Sequence, residues 1–253
     1  MRTLVFIGLY IFSLLGWSQN NSQLFDEANA LYNDGKYAEA IDKYESILGT
    51  DVHSAELYFN LANANYKLNN VAPSIYYYEK ALLLKPNDKD IQNNLAYAQN
   101  MTIDAIDKVP EVGFARITKN IVNTFPADTW AIIAVVGVIL FVLIFLTYHF
   151  SYRTTKKRIA FVSSVVILFI ALFSVAMAFQ KSTLEKKDNP AIIYVQESRV
   201  KTDPNQTSEE VFRLHEGTKV KVLETYEDWK KIQLADNSTG WVPSKNLRLI
   251  KDF

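Results

Sequence analysis

The side chains that most often carry chemistry are few and scattered in these 253 residues. His53, His149 and His215 are the only imidazoles, so a histidine acting as general base or metal ligand would have to come from one of three distant places. Cysteine is absent, which removes thiolate nucleophiles, disulfides, iron–sulfur clusters and thiolate zinc sites. No HExxH, GxSxG, P-loop or GxGxxG string occurs. Adjacent acids such as Asp26-Glu27 and Glu209-Glu210 read as solvated faces. Asn237-Ser238-Thr239 and Asn20-Asn21-Ser22 fit the acceptor pattern for N-glycosylation, a string short enough to arise by chance. The reading is a non-enzyme with no catalytic residue, metal ligand or cofactor. What remains are groups that hold rather than react: amides and aromatic rings that recur at a fixed interval.

That interval is 34 residues. Shifting the sequence by it superposes Phe25 on Phe59, Ala28 on Ala62, Asn29 on Asn63, Ala30 on Ala64, Tyr32 on Tyr66, Ile41 on Ile75, Tyr44 on Tyr78 and Glu45 on Glu79. Such a period marks helix–turn–helix pairs that stack, each burying a face it cannot bury alone. Ala28 and Ala62 permit close helix approach, and Gly35 and Asn69 suit the turns. Pro86 closes the second unit. With Gly35-Lys36-Tyr37-Ala38-Glu39-Ala40, Ala81-Leu82 and Lys85-Pro86-Asn87, the stretch resembles tetratricopeptide repeats, departing from their pattern at Val52 and Ser74. Repeats are expected at about 22–55 and 56–89, with a capping helix at about 90–104, inside a domain spanning 19–108. Such stacks bind peptides in a concave groove lined by the first helix of each pair. The resemblance puts Phe25, Asn29, Tyr32, Asn33, Phe59, Asn63, Tyr66, Lys67, Tyr97 and Asn100 on that groove. An asparagine amide can accept and donate to a peptide backbone at once, and tyrosine gives flat contact area. The alternative is that these residues have a purely structural or oligomerising role. Lys67 is the only cation among them, which favours an internal peptide segment over a free C-terminus.

Towards the end of the chain, short alternating runs separated by Asp203-Pro204-Asn205, Glu216-Gly217 and Asp236-Asn237 predict five or six strands in a small closed barrel over 191–250. The string Leu214-His215-Glu216-Gly217-Thr218, then Trp229, then Gly240-Trp241-Val242-Pro243, resembles bacterial SH3-like domains. Members of that family bind cell-wall peptides or act as interaction modules. Tyr194, Trp229, Trp241 and Pro243 are the candidate ligand surface, with the two tryptophans equally eligible as core.

Between these parts lie two runs without a formal charge, Thr129 to Tyr152 and Ile159 to Gln180. Each is long enough to cross a hydrocarbon core of ~30 Å, so a single soluble domain is excluded. Spans are expected at 129–150 and 159–180, with a linker at 181–190. The connection 151–158 carries Arg153, Lys156, Lys157 and Arg158 without an acid, the signature of a cytoplasmic loop. Residues 1–18, with Arg2, an apolar run from Leu4 to Leu15 and Gly16-Trp17-Ser18, read as a signal peptide, cleaved or retained. Between Pro110 and Pro126, Phe114, Ile117, Ile121, Val122 and Phe125 recur at helical spacing, predicting an amphipathic helix on the bilayer surface within 109–126. Both soluble parts then lie on the periplasmic side of an inner membrane crossed twice. Residues 19–108 hold 13 acids and 7 bases, net −6, and residues 181–253 hold 12 acids and 13 bases, net +1. Neither has the excess of base that nucleic acid requires.

The fold class is thus a multidomain membrane protein: an α-solenoid of tetratricopeptide repeats, a two-helix transmembrane hairpin and a small all-β SH3-like barrel. In that order the parts resemble the BatE family of Bacteroides-type aerotolerance proteins. The resemblance implies a scaffold in an envelope-stress complex with Bat membrane proteins carrying von Willebrand A domains and a MoxR-type ATPase. The alternatives are a peptidoglycan-binding envelope sensor and an accessory factor to a cell-wall hydrolase.

Overall fold

The structure, a computed structural model, describes residues 21–107, 109 and 113–252. The signal expected at 1–18 and the bracketing Pro110 lie outside the described residues. The chain forms two compact units: residues 109–188, and the segments on either side of them together.

In the first unit, residues 21–33 form α1, followed by α2 (Tyr37–Leu48), α3 (Ala55–Lys67), α4 (Val71–Leu84) and α5 (Lys89–Gln99). Gly35 and Asn69, one period apart, both take left-handed backbone at the turn within each pair, with φ of 77° and 58°. Glycine has no Cβ to clash there, and asparagine is among the residues that tolerate the conformation. Ser54 and Asp88, also one period apart, cap α3 and α5: Ser54 accepts from Leu57 N–H, and Asp88 from Asp90 and Ile91 N–H. The core between the helices is built from Ala28, Ala40, Tyr44, Leu61, Ala62, Ile75, Tyr78, Ala81 and Ile91.

The C-terminal segment of this unit is an antiparallel sheet of β1 (Pro190–Ile193), β2 (Glu197–Lys201), β3 (Glu210–His215), β4 (Lys219–Tyr226), β5 (Trp229–Gln233), β6 (Thr239–Pro243) and β7 (Leu247–Leu249), in the order β3-β2-β6-β5-β4-β1-β7. The closed barrel expected from the strand count is not formed, because β3 and β7 remain as edges. β7 is only three residues long and pairs with β1, and it follows a short 3-10 turn at Ser244–Asn246. The gap on that side is spanned by a side-chain bond, Asn246 Nδ2 to Ser198 Oγ at 2.9 Å, instead of a ladder.

The sheet sits on the helical stack. Ile192 and Ile250 belong to the stack's apolar core rather than the sheet's own, each such burial being worth about 1.5–3 kcal/mol. Consequently α4 is buried on nearly every side, from Ser74 through Ala81. Two ion pairs of opposite sense tie the parts together: Lys219 to Glu79 at 2.7 Å, and Lys80 to Asp252 at 2.5 Å. Lys80 is 6% exposed, and its ammonium lies 5.1 Å from the ring centroids of both Tyr58 and Tyr76, positions in which the ring faces attract a cation.

The second unit contains α6 (Phe114–Val122), α7 (Ala127–Phe150) and α8 (Thr154–Lys187). α7 and α8 are long and apolar enough to cross a membrane, and only 17% and 22% of their most apolar windows are buried, unlike core helices of a soluble domain. They run antiparallel, since Trp130 meets Phe173 and Tyr148 meets Phe161. Small residues line the contact: a methyl on Gly137 would lie 3.0 Å from Ala171 Cβ, and Ala134, Ala160, Ser164 and Ser174 are buried beside them. Close approach of this kind replaces the hydrophobic drive that lipid cannot supply. α8 extends past both expected limits. It takes in Lys156, Lys157 and Arg158 of the basic connection and most of the expected linker, leaving Ser151–Arg153 as the bend between the helices. On α6, Ile117 and Ile121 are exposed on a helix that also bears Arg116 and Lys119. Trp130 Nε1 donates to Val122 O at 3.2 Å, tying α6 to α7.

Candidate functional site

The concave face of the stack is organised by two copies of one hydrogen-bonded cluster. Asn29 Oδ1 accepts from Tyr44 OH at 2.6 Å and from Asn60 Nδ2 at 2.9 Å. One period later, Asn63 Oδ1 accepts from Tyr78 OH at 2.5 Å and from Asn94 Nδ2 at 2.9 Å. Each cluster joins the first helix of a pair to the second and to the next pair. Burial pushes the Tyr44 phenol up to about 12 and raises that of Tyr78 as well, so both hydroxyls stay protonated and keep donating. The asparagine acceptors are therefore committed to the scaffold. Among the described residues nothing takes the Nδ2 groups of Asn29 and Asn63, so each amide has its acceptor committed and its donors unspent.

Two hollows open over these clusters. The first, about 310 Å³, is lined by Asn29, Tyr32, Asn33, Tyr44 and Asn60. The second, about 250 Å³, is lined by Tyr32, Asn63, Tyr66, Lys67, Tyr78, Asn94 and Tyr97. Tyr32 belongs to both, so the hollows follow one another along the stack. Phe25 and Phe59 lie apart from them. They pack on Tyr44 and Tyr78 with ring centroids 5.9 and 6.0 Å apart, and Phe59 lines a separate, smaller hollow with Glu56, Lys85, Asp88 and Ile91. Asn100 caps the C-terminus of α5, outside both hollows. Tyr97, 63% exposed, stands at the rim. Asn60 and Asn94, absent from the expected set, are essential to the clusters. Their own identity at the 34-residue shift is the signal that finds them.

On the sheet, the four expected ligand residues separate. Tyr194 is spent inside the unit, packed edge-on against Tyr76 at 5.6 Å, with the Arg248 guanidinium 4.0 Å over its face. Burial pushes its phenol up to about 12. Trp229 and Trp241 are each 9% exposed and so mainly core. Pro243 pairs in register with Trp229. The accessible aromatic here is Tyr226, 52% exposed, set edge-on against Trp241 at 6.5 Å. Lys231 Nζ lies 5.8 Å over the Trp241 ring. Neither Tyr226 nor Lys231 stands out in the sequence, because a bulge between Val222 and Glu224 shifts the β4–β5 register and scrambles the alternation that would reveal them. No group of three or more metal-binding side chains occurs among the described residues.

Residues 55–88 match the tetratricopeptide repeat family, and residues 197–248 the bacterial SH3 domain family. The first match spans α3, α4 and the turn into α5. The bacterial SH3 match runs from β2 into β7 and leaves out β1, the strand that carries Ile192 to the stack. A comparison with curated proteins gives no match. Tetratricopeptide repeats and bacterial SH3 domains are interaction modules, and neither brings a catalytic constellation.

Proposed function

We propose that this chain is a non-catalytic membrane adaptor whose tetratricopeptide groove captures an extended, internal segment of a protein partner. The observation that carries this reading is the repeated asparagine–tyrosine cluster beneath two consecutive hollows. Amide donors at a regular interval suit backbone carbonyls, and Tyr32, Tyr66 and Tyr97 supply flat apolar contact with little loss of side-chain freedom. With Lys67 the one cation among the described residues that line these two hollows, affinity comes from these contacts instead of from gripping a terminal carboxylate.

The two apolar helices anchor the adaptor in the inner membrane. The basic residues Arg153, Lys156, Lys157 and Arg158 between them favour a cytoplasmic bend and soluble parts on the periplasmic side. The order of parts supports a place in a Bat-type aerotolerance or envelope-stress complex, with von Willebrand A-domain membrane proteins and a MoxR-type ATPase as partners. The test is capture of protein partners by the detergent-solubilised chain. Tyr66→Ala with Tyr97→Ala should lose them while keeping the helical signal, and undiminished capture removes the groove from the account.

A second reading has an observation of its own in the bacterial SH3 match, with exposed Tyr226 and the Lys231 ammonium both set against the buried Trp241 ring. On it the chain senses peptidoglycan or assists a cell-wall hydrolase. Retention on isolated peptidoglycan that is lost with Tyr226→Ala would favour it.

A further inference from the structure

The segment that leaves α5 runs along the sheet as a strap in extended alternation. Thr102, Asp104 and Ile106 are half-buried, whereas Ile103, Ala105 and Asp107 are exposed. Each inward residue meets a distinct feature. A methyl on Gly217, where φ is 84°, would lie 2.9 Å from Thr102 Cγ2, so that glycine leaves room for the strap. The Asp104 carboxylate accepts from His215 N–H at 2.7 Å and from Thr218 Oγ1 at 2.6 Å, and lies 2.7 Å from His215 Nδ1. Thr218 is 5% exposed. Ile106 packs against the sheet's apolar core.

A backbone N–H at the end of an edge strand, a buried hydroxyl and an imidazole converging on one carboxylate form a built anion site, since hydrogen bonds to a charged acceptor are the strong ones. The apolar contact two residues on gives it a direction and a register. Side-chain pockets spaced for alternate residues are how extended peptides are read.

We propose that the corner from His215 to Thr218 is a binding site for an extended acidic peptide segment, in which an aspartate is followed two positions later by an aliphatic residue. The chain's own strap, residues 102–106, fills that site in cis, and a partner segment of the same chemistry displaces it. A tethered occupant acts at an effective concentration on the order of millimolar, so the resting module refuses free peptide at micromolar levels. The site is separate from the helical groove and leaves every groove residue untouched, so its failure and the groove's failure are distinguishable.

The experiment uses the full chain in detergent and a fluorescein-labelled peptide of the strap's own sequence, Thr-Ile-Asp-Ala-Ile. Release of the strap by Asp104→Ala with Ile106→Ser should raise peptide affinity at least tenfold over the unaltered chain. Adding Thr218→Val should lower it again by about tenfold, the usual weight of a hydrogen bond to a charged group. A peptide with asparagine in place of its aspartate should bind the released chain poorly. The proposal is overturned if the released chain, with its near-ultraviolet tryptophan signal intact, binds no better than the unaltered one. It is overturned equally if both peptides bind alike. Should the double variant lose that signal, Asp104→Asn alone, which keeps the strap's volume, decides: higher peptide affinity supports the site, and unchanged affinity overturns it.

Discussion

Gly217→Ala tests whether sheet and stack are one body. Gly217 holds φ at 84°, which for a residue with a Cβ costs roughly 1–2 kcal/mol. The added methyl would stand 2.9 Å from each of Ile75 Cδ1, Val71 Cγ1 and Thr102 Cγ2, against a preferred carbon–carbon separation of about 3.5–4.0 Å. Overpacking of this kind costs about 1–3 kcal/mol. Ile75 and Val71 belong to α4, so relief requires the sheet to back away from the helix and to loosen Ile192 and Ile250. The expected loss is about 2–5 kcal/mol, a fall in Tm of about 4–20 °C at ~2–4 °C per kcal/mol for a unit of this size. The assay is thermal unfolding of the full chain in detergent, followed by tryptophan fluorescence, in a cycle with Val71→Ala. Removing Val71 Cγ1 takes away part of the clash and none of the backbone strain. The two substitutions should therefore couple favourably by about 0.5–1 kcal/mol. A Tm within 1 °C of the unaltered chain, or additive effects, would refute a direct contact at this glycine.

Ser74, fully buried in α4, has no partner for its hydroxyl among the described residues, while its counterpart Ala40 is buried without that burden. Ser74→Ala should raise stability by about 1 kcal/mol, read as a higher Tm. Asp104 provides a pH signature. Burial raises its carboxyl, but the hydrogen bonds from Thr218 and from His215 outweigh this and hold it below the ordinary value. Its contribution is therefore complete above an unfolded value of about 3.9 and is lost as pH falls through the lower folded one. The stability gap between the unaltered chain and Asp104→Asn should narrow as pH falls from about 4.5 towards 3, in chemical denaturation at each pH. A gap constant down to pH 3 would contradict it. Asn63→Ala, unlike Tyr66→Ala, should lower stability by about 1–3 kcal/mol, because it strands the Tyr78 hydroxyl and the Asn94 amide.

What could be read from the sequence was whatever short stretches decide by themselves. The turns at Gly35 and Asn69 follow from backbone preference, and the two long helices from uninterrupted apolar runs. The sheet's seat on α4 depends on segments more than 100 residues apart, yet it left a trace. At the 34-residue shift, Asp42 and Lys43 on the solvated face of α2 become Tyr76 and Tyr77 on α4. Aromatic residues at positions that should face water mark a helix with a second cover. The same cover explains Tyr194, whose isolation near the start of the sheet reads as availability when it is packing. Sheet closure was illegible because strand number does not fix whether the two edge strands, β3 and β7, come together. The amides of Asn29 and Asn63 were legible as important, but their split between scaffold and ligand depends on which neighbour reaches each oxygen.

Photo-crosslinking in intact membranes tests the groove most directly. A photoreactive side chain placed at Tyr66 or Tyr97, over the second hollow, should yield a discrete adduct with a partner protein, whereas the same group at Asp42, exposed on α2, should yield none. Adducts missing from both groove positions, or equal at all three, would contradict an adaptor that works through its concave face.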